Sequence, residues 1–161
     1  MEESLPRRKR PAHFPLRESF NLSQIVLLTV CTAQRRPLLA RDEIVSLLIE
    51  SWQKADSWTV GRYTVLPDHL HLFCAPASDL APSLSTWVKF WKALVARRWP
   101  NADEQPIWQP SFWDRQLRSN DHYSQRWEYV RNNPVRHKLA STADAWPWQG
   151  ELCAFRFHDK S

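Results

Sequence analysis

The sequence predicts a single domain of the α+β class. Segments with the apolar, β-branched character of strands alternate with segments whose apolar residues recur at helical spacing. Their order is strand, helix, two strands, helix and a late strand, followed by an additional helix. With 161 residues, of which 43% are hydrophobic, the chain can bury the core of one such domain. We therefore expect a ferredoxin-like fold, a split βαβ antiparallel sheet with helices on one or both faces.

The first strand and the first helix have the clearest patterns. Residues 24–32, "QIVLLTVCT", form an apolar run rich in β-branched residues, which is typical of a buried strand. Residues 41–55, "RDEIVSLLIESWQKA", carry their apolar residues on one stripe. That stripe comprises Ile44, Leu47, Leu48 and Trp52. The segment is therefore predicted to be a helix packed on the sheet.

Two strands and a second helix follow. Residues 59–66, "TVGRYTVL", and residues 69–75, "HLHLFCA", are separated by a proline and an aspartate, which predicts a hairpin or a closely spaced pair. Residues 83–99, "SLSTWVKFWKALVARRW", have apolar residues at helical spacing. Because Trp87 and Trp91 lie on that apolar stripe, we assign them to the core rather than to base stacking.

The late part of the chain has weaker signals. Residues 107–119, "IWQPSFWDRQLRS", are aromatic and partly alternating, which suggests an extended segment or a strand. The third helix is expected over residues 121–133, with Asn120 or Asp121 as its cap and Pro134 as its end.

These boundaries divide the chain into three parts. We expect a basic N-terminal arm over residues 1–19, a domain over residues 20–140 and a C-terminal tail over residues 141–161, to which we assign no structure.

Composition excludes several classes of function. With only two glycines, the chain contains neither a P-loop nor a dinucleotide-binding glycine motif, so no nucleotide cofactor is expected. Its three cysteines are far apart and lack CxxC spacing, which argues against a disulfide framework and a cysteine zinc site. No apolar run approaches the ~18 residues that span a bilayer, so we expect a cytoplasmic protein without a membrane partner.

Basic residues are clustered along the chain. The net charge is +5, and the excess includes the "RRKR" run at residues 7–10, the second predicted helix and the segment after residue 114. Such clusters suit a nucleic-acid backbone. When charge is considered alone, a solvated basic surface is the favoured interpretation.

His69 and His71 lie two residues apart in a predicted strand. Side chains at positions i and i+2 of a strand point to the same face, so the two imidazoles form a chelating pair. Leu70, Leu72 and Phe73 are expected on the opposite face, where they can anchor the strand in the core. Two histidines need at least one further ligand to hold a catalytic metal. Ordinary hydrogen-bonding histidines remain the alternative.

Tyr129 lies off the apolar stripe of the third predicted helix. That stripe is formed by Tyr123, Trp127 and Val130. Gln125 and Asn133 lie one turn before and after Tyr129, so amides able to bind a metal or a phosphate flank its phenol. A half-exposed surface tyrosine is the alternative interpretation.

Three segments together closely resemble a known family. "YTVLPDHLHLF", "IWQPSFWDRQLRS" and "EYVRNNPVRHKL" are similar in order and spacing to the REP-associated tyrosine transposases of the bacterial HUH single-strand transposase superfamily. The resemblance covers residues 20–140. It implies that His69 and His71 bind a divalent cation, Mg²⁺ or Mn²⁺, and that Tyr129 is the nucleophile. It also suggests Asn133 as the third metal ligand.

The resemblance implies a reaction and a substrate. The reaction is transesterification on single-stranded DNA through a 5'-phosphotyrosine, which cleaves and rejoins strands without ATP. The substrate is a REP-type DNA hairpin with a single-stranded flank, and the protein is expected at the bacterial nucleoid as a monomer or homodimer. Candidate DNA contacts are Arg7, Arg8, Lys9, Arg10, Lys89, Lys92, Arg115, Arg118 and Arg131.

Two other functions fit parts of the sequence. A domesticated relative would bind hairpin DNA without catalysis. A hydrolytic zinc enzyme would use the histidine pair, but the sequence lacks the third histidine or glutamate motif that such sites normally have.

Overall fold

The computed structural model describes residues 24–155. The predicted N-terminal arm, with Arg7, Arg8, Lys9 and Arg10, lies outside the described residues. The expected domain boundary near residue 20 lies outside them as well.

Five strands form one antiparallel sheet in the order β4-β1-β3-β2-β5. The strands are β1 (Val26–Cys31), β2 (Trp58–Val65), β3 (His69–Pro76), β4 (Trp113–Gln116) and β5 (Gln149–Glu151). The first four strands have the order 4-1-3-2, which is the split βαβ arrangement. The predicted fold class is therefore confirmed.

The helices cover both faces of this sheet. Helix α1 (Asp42–Lys54) connects β1 to β2, and α2 (Leu84–Arg97) follows β3, so that α1 and α2 pack together on one face. Helix α3 (Asn120–Arg131) and the short helix α4 (Asn133–Arg136) follow β4. Within residues 24–155, none of the helices has the length and apolar character needed to cross a membrane.

The larger core lies between the sheet and the pair α1 and α2. Trp87 and Trp91 are buried there, as their helical spacing predicted. The Trp87 indole N–H donates a 2.6 Å hydrogen bond to the carbonyl of Ala55, so its polar edge is satisfied inside the core. Trp91 makes an edge contact with Trp52 of α1, with ring centroids 5.9 Å apart. These indoles join the two helices and are not available for stacking on bases.

A smaller core lies on the other face, beneath α3. It contains Phe73 of β3 together with Tyr123 and Val130 of α3. The Phe73 and Tyr123 rings meet edge to face with centroids 4.9 Å apart. Side chains of a strand alternate between faces, so Phe73 lies on the same side of β3 as His69 and His71. Its expected place on the opposite face, with Leu70 and Leu72, is therefore wrong. The sheet thus directs both histidines towards the α3 side.

The third helix differs from its prediction at both ends. Its N-cap is Ser119, whose side chain accepts a hydrogen bond from the backbone N–H of His122, and neither Asn120 nor Asp121 has this role. The helix ends at Arg131, and Pro134 lies in the first turn of α4 instead of terminating α3. Proline is tolerated in a first turn because the N–H that it lacks has no helical acceptor there.

Part of the sheet comes from the segment expected to be a tail. Strand β5 pairs with β2, and Gly150 lies opposite Tyr63. A Cβ atom at position 150 would lie 2.8 Å from the Tyr63 hydroxyl, so glycine permits this close pairing. Trp146 is buried and donates its indole hydrogen bond to the carbonyl of Val65. The sheet therefore extends beyond residue 140.

The Ser119 cap predicts a measurable contribution to stability. Substitution Ser119→Ala should lower the free energy of unfolding by about 1 kcal/mol, because a first-turn N–H loses its acceptor. Ser124→Ala is the matched control, since Ser124 is exposed inside the same helix and alanine is favoured there. Urea denaturation of both variants measures the difference, and equal midpoints would show that Ser119 is not the cap.

Candidate active site

The two histidines are buried side by side on β3. Each side chain belongs to a residue that is only 4% exposed, and the ring centroids are 5.0 Å apart. A polar pair at this depth requires hydrogen-bonding partners for its ring nitrogens. His69 has one such partner and His71 has two, and these partners come from different segments of the chain.

His71 is held between two side chains. Its Nε2 atom lies 2.9 Å from Nδ2 of Asn133, and its Nδ1 atom lies 2.9 Å from Oγ1 of Thr29 on β1. An amide nitrogen only donates, so Nε2 accepts, and Nδ1–H donates to the threonine hydroxyl. This arrangement requires a neutral imidazole.

Electrostatics also favour the neutral form of His71. Burial is the main cause that holds the pKa of this imidazole well below its usual value. The positive charges of His69, Arg136, His137 and Arg35 lower it further. A neutral imidazole is the form that ligates metals.

His69 is oriented by a carboxylate. Its Nδ1 atom donates a 2.7 Å hydrogen bond to Oδ1 of Asp68, whose Oδ2 accepts a 3.0 Å hydrogen bond from Nε of Arg35. Burial alone would raise the pKa of Asp68, but its contacts with His69 and Arg35 outweigh that effect and lower the pKa to about 2. The carboxylate therefore fixes the proton of His69 on Nδ1. The Nε2 atom, on the other side of the ring, then carries the free lone pair.

Arg35 reaches Asp68 from a strained turn. Gln34 and Arg35 have φ angles of 58° and 55°, in the left-handed region that costs about 1–2 kcal/mol per non-glycine residue. Contacts with the β2–β3 turn offset this strain, because both the N–H and the hydroxyl of Thr32 donate to the carbonyl of Asp68. The loop after β1 thus supports the carboxylate that orients His69.

Asn133 connects the late helices to the histidine strand. It opens α4, it is 0% exposed, and its Nδ2 atom contacts His71. Its Oδ1 atom is buried and has no hydrogen-bond partner among residues 24–155. Leaving such an oxygen unsatisfied costs about 1–3 kcal/mol. A buried amide oxygen next to two imidazoles fits a divalent cation that takes nitrogen and oxygen ligands.

The metal implied by the family resemblance depends on this amide. Among residues 24–155, no three His, Cys, Asp or Glu side chains are grouped so that they could hold a metal ion by themselves. The donor set that fits is therefore two imidazoles with an amide oxygen. Mn²⁺ accepts imidazole and oxygen ligands, and Mg²⁺ prefers oxygen and retains several water molecules.

Tyr129 lies one turn before Asn133, on the exposed side of α3. It is 42% exposed, whereas Tyr123 and Val130 of the same helix are buried, as the apolar stripe predicted. The guanidinium carbon of Arg136 lies 3.8 Å from the Tyr129 ring centroid. Burial raises the pKa of Tyr123 to about 12, despite an opposing effect from Arg62. Of these two tyrosines, Tyr129 is the one that a large substrate can reach.

Sequence reasoning missed several residues around the pair. Asp68, Arg35 and Thr29 hold the rings through contacts that join distant segments. His137 was missed as well, although its ring centroid is 6.2 Å from that of His69. A signal for His137 existed, because it continues the four-residue spacing from Tyr129 through Asn133.

The described DNA-contact candidates are dispersed over the fold. Lys89 is exposed on α2, across the sheet from the histidines, and Lys92 donates a 2.7 Å hydrogen bond to the carbonyl of Gln109. Burial lowers the pKa of Lys92 to about 8. Arg131 forms ion pairs with Asp144 and Glu128.

Arg115 and Arg118 are the exposed candidates near α3. Arg115 lies on β4 opposite Leu27, and Leu27 packs against the smaller core. This register places Arg115 on the α3 side of the sheet. Arg118 lies in the connection between β4 and α3, and DNA binding by either residue stays a prediction.

Comparisons with known proteins agree with the motif resemblance. No protein-family model matches the chain. A REP-associated tyrosine transposase of Escherichia coli K12 is 26% identical over 90 residues, which cover 55% of this chain and 52% of that protein. A Haemophilus influenzae protein, assigned to the same family only provisionally, is 26% identical over 96 residues, covering 52% of this chain and 53% of its own length. The chain spans about half the length of the curated relatives it matches.

A solved structure extends the similarity to the fold. It is a REP-associated tyrosine transposase bound to a REP hairpin, and it superposes with a TM-score of 0.67 over 92% of this chain and 99% of that chain. The chain resembles REP-associated tyrosine transposases in sequence and in fold. At 19% identity the superposition shows the shared fold, and the REP-associated transposase resemblance predicted from the motifs is confirmed.

Thr29 provides a test of the His71 geometry. Substitution Thr29→Val keeps the shape but leaves the His71 Nδ1–H without its acceptor, which should lower the free energy of unfolding by about 1–3 kcal/mol. Thr64→Val is the control, because the Thr64 hydroxyl is buried without a hydrogen-bond partner among the described residues. Chemical denaturation should find that control neutral or stabilised. Equal losses in both variants would contradict the assigned hydrogen bond.

Proposed function

We propose that this protein is a metal-dependent single-stranded DNA transesterase that cleaves and rejoins REP-type hairpin DNA through a 5'-phosphotyrosine on Tyr129. One observation carries the proposal. Asn133 contacts Nε2 of His71 across a distance of 2.9 Å, and Tyr129 lies in the last turn of α3, just before the break that precedes Asn133. The helix that bears the phenol is thereby fixed to the strand that bears the two histidines.

The surroundings of the histidines favour an anionic substrate. Arg35, Arg136 and His137 all lie close enough to affect the pKa of His71, and each carries or can carry positive charge. Asp68 offsets part of this charge through its contacts with His69 and Arg35. The resulting positive field suits a phosphodiester, whose charge increases at the transition state of transfer.

The residues that would hold a cation are His69 and His71 through Nε2 and Asn133 through Oδ1. The Asn133 amide would have to rotate to exchange its Nδ2 for Oδ1 on the side of His71. A bound Mg²⁺ or Mn²⁺ supplies polarisation and orientation of the scissile phosphate. Asp68 and Thr29 keep both histidine protons on Nδ1, so that both Nε2 lone pairs are available.

The chemical step transfers the 5'-phosphoryl end of the cleaved strand to tyrosine, and the reverse step returns it to a 3'-hydroxyl. The Tyr129 oxygen attacks the scissile phosphorus as its phenolic proton passes to solvent water, and the bond from phosphorus to the 3'-oxygen breaks. The departing 3'-oxygen takes a proton and becomes a 3'-hydroxyl. The phosphotyrosine conserves the energy of the phosphodiester, so a 3'-hydroxyl can attack it in the reverse direction. The cycle therefore needs no nucleotide cofactor.

The proposed substrate follows from similarity and charge. The solved transposase with the same fold is bound to a REP hairpin, and this chain has a net charge of +5. Tyr129 is half exposed on a helix, where a flexible single strand can bend across it. A duplex would keep the scissile phosphate in stacked, paired geometry. We therefore propose a hairpin with a single-stranded flank as the partner.

A hairpin-binding protein without catalysis is the second candidate. One observation favours it. In the part of the chain that the structure describes, the metal would be held by only two imidazoles and one amide. Both candidates predict hairpin binding, but only the transesterase forms a covalent adduct.

The nucleophile can be identified with labelled hairpin DNA and Mn²⁺. The wild-type protein should form a denaturation-resistant adduct, and Tyr129→Phe should form none while binding DNA with unchanged affinity. Tyr123→Phe is the matched control and should retain the adduct, because its ring is in the core. Denaturing electrophoresis and peptide mapping measure both. An adduct on Tyr123, or one that persists in Tyr129→Phe, would refute the assignment.

Metal binding can be measured without DNA cleavage. Electron paramagnetic resonance of free Mn²⁺ should show binding to wild-type protein, loss of binding in His71→Ala and 10–100-fold weaker binding in Asp68→Asn. His122→Ala controls for the loss of an imidazole, since His122 is exposed at the start of α3. Unchanged Mn²⁺ affinity in His71→Ala would exclude His71 as a ligand.

Salt dependence tests the proposed DNA partner. Hairpins with single-stranded flanks should bind better than fully paired DNA of the same sequence. The logarithm of affinity should fall with that of salt concentration at a slope of about 0.7 per phosphate contact on single strands. Neutralising Arg7, Arg8, Lys9 and Arg10 together should reduce affinity and slope. Equal binding of paired and hairpin DNA at every salt concentration would argue against the single-strand partner.

A further inference from the structure

A guanidinium group covers one face of the Tyr129 ring. Cζ of Arg136 lies 3.8 Å from the ring centroid, well inside the ~6 Å range of a cation–π contact. Nη2 of Arg136 also donates a 2.6 Å hydrogen bond to the backbone carbonyl of Tyr129. One side chain therefore contacts both the ring and the backbone of the same tyrosine.

Arg136 reaches Tyr129 because the chain changes helix between them. In one continuous helix, residues seven apart are separated by about 10.5 Å along the axis. Here α3 ends at Arg131, and α4 begins at Asn133 with Pro134 in its first turn. Across this break the Arg136 side chain reaches the end of α3. Asn133, the first residue of α4, contacts His71 beside the same break.

We propose that Arg136 is the positioning residue for Tyr129. By stacking on the ring it restricts the phenol to one orientation and sets the direction from which the phenolic oxygen approaches the scissile phosphorus. This inference rests on the proposed function. Restriction of reacting groups to the attacking geometry is a large part of catalysis, and a displacement of about 1 Å can reduce a rate 10²-fold.

The position of the contact separates this role from folding. Tyr129 is 42% exposed, and the buried residues of α3 include Tyr123 and Val130. The ring that Arg136 covers is therefore outside the core of α3, and circular dichroism of Arg136→Ala checks that the fold is kept. A planar guanidinium stacks on an aromatic ring, whereas a lysine ammonium carries the charge without the plane. Arg136→Lys thus separates charge from stacking.

Orientation of the ring can be observed without DNA. The chain has three tyrosines, so 3-fluorotyrosine labelling gives three ¹⁹F resonances, and Tyr129→Phe assigns one of them. Arg136→Ala should shift and narrow the Tyr129 resonance and leave the other two unchanged. Arg98→Ala is the control, because it removes the same charge from the α2 end. An unchanged Tyr129 resonance in Arg136→Ala would overturn the proposal.

Single-turnover cleavage tests the catalytic consequence. At saturating hairpin DNA with Mn²⁺, where a change in affinity does not affect the rate, Arg136→Ala should cleave about 100-fold more slowly than wild type, with unchanged circular dichroism. Arg136→Lys should recover part of that rate, and Arg98→Ala should match the wild type. A wild-type rate in Arg136→Ala would contradict the positioning role.

A substrate with a neutral scissile group separates positioning from phosphate binding. If Arg136 acts on the tyrosine, Arg136→Ala should slow a methylphosphonate substrate by the same factor as the natural phosphodiester. A penalty that disappears on the methylphosphonate would overturn the proposal, because the guanidinium would then act on the phosphate charge. Failure of the proposed function would give a different result, because the wild-type protein itself would form no covalent adduct with the hairpin. The ¹⁹F spectra report on the Arg136 contact independently of that outcome.

Discussion

The contact between Asn133 Nδ2 and His71 Nε2 connects the two halves of the candidate site. One half is a strand whose alternation places His69 and His71 on the α3 side of the sheet. The other half is a helix that carries Tyr129 at its exposed surface. The two halves meet at the break between α3 and α4, where Asn133 is fully buried as the first residue of α4. Its contact with His71 therefore links the histidines to the segment that carries Tyr129 and its covering Arg136.

The two faces of the sheet differ in their roles. The large core packs on one face, and the candidate site lies on the other. The α1 and α2 face buries tryptophans in an aromatic core whose indole groups are largely directed to backbone carbonyls or to each other. That core supplies stability that the polar face cannot provide. On the α3 face, Asp68 and Thr29 fix the two histidine tautomers, at the cost of a left-handed turn at Arg35. Backbone strain of this kind is often found at functional sites.

Sequence patterns predicted the elements whose signals are local. Period-two alternation placed His69 and His71 on one face, and the helical stripe placed Tyr129 outside the core, because both patterns follow from backbone geometry alone. The Ser119 cap was missed because three polar residues in succession are all chemically suitable. Strand β5 has only three residues, and its pairing with β2 is decided by contacts distant in sequence. Arg35 and Thr29 were beyond prediction for the same reason, since their partners Asp68 and His71 lie 33 and 42 residues away along the chain.

The central claim is that Asn133 docks the tyrosine helix on the histidine strand through His71. A double-mutant cycle of Asn133→Ala and His71→Ala, measured by urea denaturation in the presence of a chelator, tests this contact most directly. A direct hydrogen bond between buried groups predicts a coupling free energy of about 1 kcal/mol or more between the two substitutions. Additive effects, with a coupling of less than ~0.3 kcal/mol, would contradict the claim.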